Sequence, residues 1–179
     1  MRTITFSREL YVEEEDFLEV PVPKYKRLYP DGPECRLKGA YLITCTGCKK
    51  NDDGTIAEIY ATYDPDSRGG NPADGRKVKG ATIHWVDAAT AVEAECRLYD
   101  NLFSDAAPDA ADKNFLDCLN PDSLEVVTGC KVEAGLKDAV APASFQFMRV
   151  GYFCLDNKDS RPGHLVFNRS VSLKDSFKK

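Results

Sequence analysis

The chain has 179 residues, enough to bury a sizeable apolar interior as one domain or as two small ones sharing a core. Its 24 Lys and Arg against 29 Asp and Glu give a formal charge of −5, which excludes a surface coated all round in nucleic-acid-binding cations, so any RNA contact must be a local patch. No apolar run approaches membrane-spanning length and the segment from Met1 to Phe6 lacks a secretory apolar core, so the chain reads as soluble and cytoplasmic.

Short strand-forming segments recur between turn signals. In chain order they are 8–13, 34–45, 56–63, 77–86, 91–99, 124–132, 144–155 and 164–173. This spacing predicts an all-β architecture, a barrel or a sandwich. Helical pattern is confined to 109–119, where Ala111, Phe115, Cys118 and Leu119 make an apolar stripe that Asn120 and Pro121 end, and to a shorter turn at 136–140.

Several stretches carry residue types that could recognise an anion or a base. The run from Asn71 to Trp85 joins a Pro72 and Gly75 turn to Arg76, Lys77 and Lys79 and then to an apolar strand. Its alternation suits a half-buried strand that would hold the three cations as an anion-binding β-surface. Tyr25, Lys26, Arg27, Leu28 and Tyr29 interleave two cations with two aromatics, which suits base stacking and phosphate contact and equally suits a solvated turn. Arg36 and Lys38 would project from one face of a strand, roughly 6 to 7 Å apart, a spacing comparable to neighbouring phosphates; an ordinary polar strand face has the same pattern. In the run Phe145 to Arg149 the two phenylalanines share a face and pack inward, leaving Gln146 and Met148 on the other.

Other features weigh toward structure. Seven cysteines, an odd number without a compact framework, predict reduced thiols. Cys45 and Cys48 are the one pair with metal-ligand spacing, and no second pair completes a closed zinc site. His84 reads as a strand histidine beside the buried indole of Trp85, because no Cys, Ser or carboxylate pair nearby completes a catalytic constellation. Gly69 and Gly70 lack the Lys-Ser or Lys-Thr of a phosphate loop and read as flexible turn. No catalytic residue and no metal site are assigned.

Nine segments in order carry a family resemblance: Phe6 to Tyr11, Tyr25 to Leu28, Cys35 to Lys38, Asn71 to Trp85, Arg97 to Asp100, Leu102 to Ser104, Phe145 to Phe147, Gly151 to Asp156 and Phe167 to Arg169. Together they resemble, nearly end to end, the C-terminal anticodon-binding region of class I glutaminyl-tRNA synthetases. The resemblance implies two six-stranded β-barrels of the ribosomal L25-like type, with one or two short helices. Residues 19–90 would form the distal barrel, and residues 1–18 with 91–179 the proximal one. The family's region starts upstream of Phe6 with further strand residues, including an arginine that contacts the central anticodon base. Met1 therefore reads as a fragment start, which predicts an incompletely closed proximal barrel with an edge open to pairing.

By the same resemblance, Lys26 and Arg27, beside Tyr25, lie in the anticodon pocket, with Arg27 reading the third base. Arg36 and Lys38 would contact the first nucleotide; Lys38 stands where arginine is commoner and loses the bidentate fork while keeping a point charge. Gln146 would read the central base. Met148 replaces a glutamate there, which removes an acceptor and offers apolar packing instead. Lys49 and Lys50 would lie outside the pocket. The implied partners are the anticodon loop of glutamine tRNA and the catalytic domain of the same longer protein, with a monomer expected and no membrane contact. That enzyme would ligate glutamine to tRNA using ATP and magnesium. The His-Ile-Gly-His and Lys-Met-Ser-Lys-Ser types of core signature are not in these residues, so no cofactor is expected on this chain. The alternatives are the matching region of an archaeal or eukaryotic glutamyl-tRNA synthetase, against which Gln146 and the Asp74 to Trp85 run weigh, a general L25-like RNA-binding module, and a β-protein that scaffolds partners without touching RNA.

Overall fold

A computed structural model describes residues 3–173, in which eleven strands and four 3-10 turns make up the regular structure. Contacts divide the chain into two units, Thr5–Ala89 and Met1–Ile4 with Thr90–Lys179. The all-β architecture is as expected. The sheets have five, four and two strands and are open, so the closed six-stranded barrels implied by the resemblance do not appear among the described residues.

In Thr5–Ala89, β2 (Cys35–Leu37), β3 (Leu42–Lys50), β4 (Ile56–Asp64) and β5 (Thr82–Ile83) form a sheet in the order β4-β3-β2-β5. β1 (Leu10–Val12) pairs antiparallel with β6 (Trp85–Asp87), in the register Leu10 with Asp87 and Val12 with Trp85. Along β2 the two-residue period of a strand buries Cys35 and Leu37 and turns Arg36 the other way. Cys35 and Leu37 join Phe17, Leu28, Ile43, Cys45, Ile83 and Trp85 in one core cluster. Residues 5–18, expected with the other unit, cluster here instead: β1 pairs with β6, and Phe17 bridges to Leu28.

In the second unit, β7 (Val92–Tyr99), β8 (Leu124–Val132), β9 (Ser144–Phe147), β10 (Gly151–Leu155) and β11 (Leu165–Ser172) are ordered β8-β7-β11-β10-β9. The β7 and β11 pair is parallel, and its neighbours are antiparallel. Its core is built on Phe153, Phe167, Leu155 and Leu165, with Phe145 and Phe147 packed against them.

Four segments depart from the sequence reading. The 34–45 strand is two strands separated by a turn, because the backbone folds back at Lys38 and Gly39 to bond Leu37 N to the Tyr41 carbonyl. The 144–155 strand is a hairpin, in which Met148, Arg149 and Val150 form the turn and Arg149 takes φ 65°. The 77–86 strand begins only at Thr82. The 109–119 helix is a single 3-10 turn at Phe115–Cys118, with Phe115, Leu116 and Leu119 exposed. Asn114 Oδ1 accepts from Leu116 N there, and Asp105 Oδ1 accepts from Ala107 N upstream. Such local side-chain bonds compete with helix.

Candidate nucleic-acid interface

Five of the candidate residues, Tyr25, Lys26, Arg27, Arg36 and Lys38, belong to Thr5–Ala89, and three of them are tied to one another through the segment Ala81–Ile83. The Lys26 carbonyl accepts from Ala81 N at 2.7 Å, Arg36 N donates to the Ala81 carbonyl at 2.9 Å, and Lys38 N donates to the Ile83 carbonyl at 3.0 Å. A single run of backbone thus aligns the backbones of three candidate cations. Gly80 lets that run come close: a Cβ there would lie 2.3 Å from the Glu34 carbonyl oxygen and 2.7 Å from Cys35 Sγ.

The Tyr25–Tyr29 segment is not a free solvated turn. Arg27 Nη1 donates to the Glu15 carbonyl at 3.0 Å and lies 3.3 Å from Asp16 Oδ1, a carboxylate with no solvent exposure. Tyr25 Oη donates to the same Glu15 carbonyl at 2.9 Å. Leu28, buried in the core, exchanges backbone bonds with Asp16 and Leu18. One nitrogen of the guanidinium, Nη1, is therefore held from two sides. Lys26 extends from the same segment with its side chain exposed, and the Tyr25 and Tyr29 rings sit 6.3 Å apart at 49°.

Arg36 leaves the central strand β2, and its Nε donates to the Gly70 carbonyl. Gly70 has φ +87° and a Cβ on it would lie 2.8 Å from Arg36 Cγ. Glycine is required at that contact on both counts. Lys38 was expected on the strand face with Arg36, but its residue starts the turn after β2 and is exposed. Its carbonyl accepts from Trp85 Nε1 at 3.1 Å, so the backbone, and not the side chain, is what the core holds.

The cations of the 71–81 loop divide. Arg76 was expected to join an anion-binding strand surface. Instead its Nη2 contacts Glu34 Oε1 at 2.6 Å and Asp64 Oδ2 at 2.5 Å, Nε contacts Glu34 Oε2 at 3.2 Å, and Nη1 contacts Asp74 Oδ1 at 2.9 Å. With three carboxylates around it, Arg76 is a structural clamp and has no charge left to offer an anion. The guanidinium holds the Asp64 carboxyl below its usual range, and the Arg76 backbone N–H does the same for Asp74. Lys77 and Lys79 are exposed. Lys49 pairs with Glu58 and Lys50 with Glu19.

In the second unit, Gln146 is exposed on β9, an edge strand, in register with Tyr152. Phe145 and Phe147 point to the core, as the alternation requires; Phe147 stacks on Phe153 with centroids 4.4 Å apart. Met148 is half-buried in the turn that follows, outside the strand whose face it was expected to share with Gln146.

Cys45 and Cys48 lie on β3, and among the described residues no group of three or more His, Cys, Asp and Glu could hold a metal. All seven cysteines are free thiols; burial pushes the Cys35 thiol up to about 11, which leaves it unreactive at neutral pH. Trp85 is buried, while His84 lies between β5 and β6 with Glu13 Oε1 4.0 Å from Nδ1. No helix among the described residues is long and apolar enough to cross a membrane.

Two family models, both described as tRNA synthetases class I (E and Q), anti-codon binding domain, match residues 82–156 and 1–64, together more than half of the chain. The chain belongs to this family of anticodon-binding domains. Among named relatives it is similar to a glutamine--tRNA ligase of Pseudomonas syringae pv. tomato, 52% identical over 99% of this chain and 31% of the relative. It is likewise similar to that of Cupriavidus taiwanensis, 54% identical over 99% of this chain and 30% of the relative, and to that of Clostridium kluyveri, 52% identical over 99% and 32%. The chain thus spans about a third of the length of the curated relatives it matches.

Proposed function

We propose that this chain reads the anticodon loop of a glutamine tRNA, as part of a cytoplasmic, monomeric protein whose catalytic domain ligates glutamine to that tRNA using ATP and magnesium. The observation that carries the reading is the Ala81–Ile83 backbone run, which ties Lys26, Arg36 and Lys38 together in a chain of this family. Arg27 reads the third base from beside Tyr25 and Lys26. Arg36 contacts the first nucleotide through its fork, and Lys38, on a turn, contributes a charge. Gln146 offers its amide to the central base, with Met148 in the turn that follows its strand. In this reading residues 19–90 are the distal module and 1–18 with 91–179 the proximal one, except that residues 5–18 contribute their strand to the former.

The sequence specificity rests on amide and guanidinium groups meeting base edges of an unstacked loop. Each well-made bidentate contact is worth about 1–3 kcal/mol of discrimination, the range for such pairs in DNA. The test is titration of the 179-residue chain at one stated salt with RNA hairpins carrying a glutamine anticodon loop and the same loop with its central base replaced. Preference for the first supports the reading. Equal affinity points to a general RNA-binding module, a preference for a glutamate anticodon to the glutamyl enzyme, and no binding to a scaffold.

A further inference from the structure

We propose that Arg76 is a positioning residue for the Arg36 guanidinium, holding it from two sides, and that its contribution to RNA recognition passes through Arg36. The inference rests on the reading of Arg36 as a contact to the first anticodon nucleotide. Arg76 itself was read from the sequence as a direct anion contact, and its three carboxylate partners rule that out.

The first side is the strand. Arg76 presents its fork to both oxygens of Glu34, two residues before Arg36 and next to the start of β2. A bidentate guanidinium–carboxylate pair fixes orientation as well as distance. The Glu34 carbonyl in turn accepts from Gly80 N at 3.1 Å, so the pair also pins the run that aligns Lys26 and Lys38.

The second side is the loop. Asp64 ends β4, and its Oδ1 accepts from Asp66 N while its carbonyl accepts from Ser67 Oγ. Ser67 is buried and accepts from Leu42 N, which seats this turn on β3; the Ser67 carbonyl then accepts from Gly70 N. Gly70 is the residue whose carbonyl receives Arg36 Nε. The Arg76 bond to Asp64 Oδ2 closes the 64–76 loop around Gly70 and offsets the entropy that an open loop of that length would gain. Asp74 accepts from both the backbone N and Nη1 of Arg76 and keeps the clamp itself in place.

One side chain therefore links the origin of the Arg36 strand to the loop that orients the Arg36 side chain. Loss of the clamp leaves Arg36 on its strand, with Nε–H no longer held, so its fork reaches the nucleotide in fewer productive orientations.

The experiment uses the 179-residue chain with Arg76→Gln, Arg36→Ala and the double variant. In the free protein, the Arg36 Nε–H resonance should move and exchange faster in Arg76→Gln, while the Trp85 indole N–H, bonded to the Lys38 carbonyl, reports that the core is intact. With a hairpin carrying a glutamine anticodon loop, Arg76→Gln should weaken binding by roughly three- to tenfold and blunt the preference for the first base, and in the Arg36→Ala background the same change should cost almost nothing, the signature of two coupled residues. A loss of equal size in both backgrounds, or an unmoved Arg36 signal, overturns the proposal. Arg36→Ala that binds as tightly as the parent instead sinks the anticodon role of Arg36, and that is seen without any change at Arg76. Should Arg76→Gln not fold, Arg76→Lys keeps the charge, loses the fork and carries the same readouts.

Discussion

Arg27 Nη1 lies 3.3 Å from a carboxylate oxygen of Asp16, a residue wholly withdrawn from solvent. The residue read as the third-base contact is also a partner of a buried charge. Arg27→Ala should therefore destabilise the fold by about 1–3 kcal/mol, since removing a partner from a buried carboxylate costs far more than the pair gains. Chemical denaturation measures this. Arg27→Lys should recover most of the stability and little of the third-base preference, because an ammonium can sit beside Asp16 but cannot present two parallel donors to a base. Equal loss of stability in both variants would show that geometry, and not charge, is what Asp16 requires.

Gly80→Ala should be among the most damaging single substitutions in Thr5–Ala89. The added methyl would meet backbone, the Glu34 carbonyl at 2.3 Å and the carbon behind it at 2.9 Å, so no rotamer change relieves it. The strand-to-loop approach must open, at a cost of about 1–3 kcal/mol or more. Gly54→Ala has nothing within 4 Å of the new methyl and serves as the comparison; its φ of +87° brings strain alone. A melting temperature lowered no further by Gly80→Ala than by Gly54→Ala would contradict the packing argument.

The legible and illegible parts of this fold differ in the range of the forces that set them. The 124–132 segment is read from the sequence to the residue, since its alternation and the Asn120-Pro121-Asp122 turn before it are local signals. The 77–81 stretch imitates a strand by alternating Lys77, Val78 and Lys79, and what makes it a loop is Arg76 reaching Glu34 and Asp64, 42 and 12 residues away. No periodicity reports such a partner. Met148 and Lys38 were misplaced for a related reason: each follows a short strand by one residue, and a positive φ at Arg149 or Gly39 turns the chain before the alternation can continue. Arg27, Arg36 and Gln146 could be singled out as exposed or half-exposed polar groups. That the acidic run before Phe17 hides the Arg27 partner could not, because Glu14, Glu15 and Asp16 look equally solvated in sequence.

Asp156 should set part of the acid limb of stability. Its carboxylate accepts from Asp159 N at 2.7 Å, Asn168 Nδ2 at 2.6 Å and Lys158 N at 2.8 Å. The Asp159 N–H leads in drawing its pKa down to about 2, with Asn168 next. In the unfolded chain an aspartate titrates near 3.9. A carboxyl depressed in the folded state contributes fully above the unfolded value, and the contribution fades as pH falls from about 4 through about 2. Denaturation midpoints between pH 2 and 6 should fall more steeply for the parent than for Asp156→Asn, whose stability is lower at neutral pH and flatter in acid. Parallel curves would mean that the hydrogen bonds are made equally in the unfolded chain.

Gln146 and Phe147 are sequence neighbours on opposite faces of β9, and their substitutions should separate recognition from folding. Gln146 is exposed, so Gln146→Ala should leave stability within about 0.5 kcal/mol of the parent. In the proposed reading it should also erase preference for the central base, roughly a tenfold change in relative affinity between the two hairpins. Phe147 stacks on Phe153 and meets Phe167 edge-on, so Phe147→Ala should cost about 3 kcal/mol in folding. Because Phe147 presents no polar group to a base, whatever fraction of Phe147→Ala remains folded should keep its preference for the central base while binding less RNA in total. Were Gln146→Ala to lower stability as much as Phe147→Ala, the outward face of β9 would be packing surface and its glutamine could not be the reader of that base.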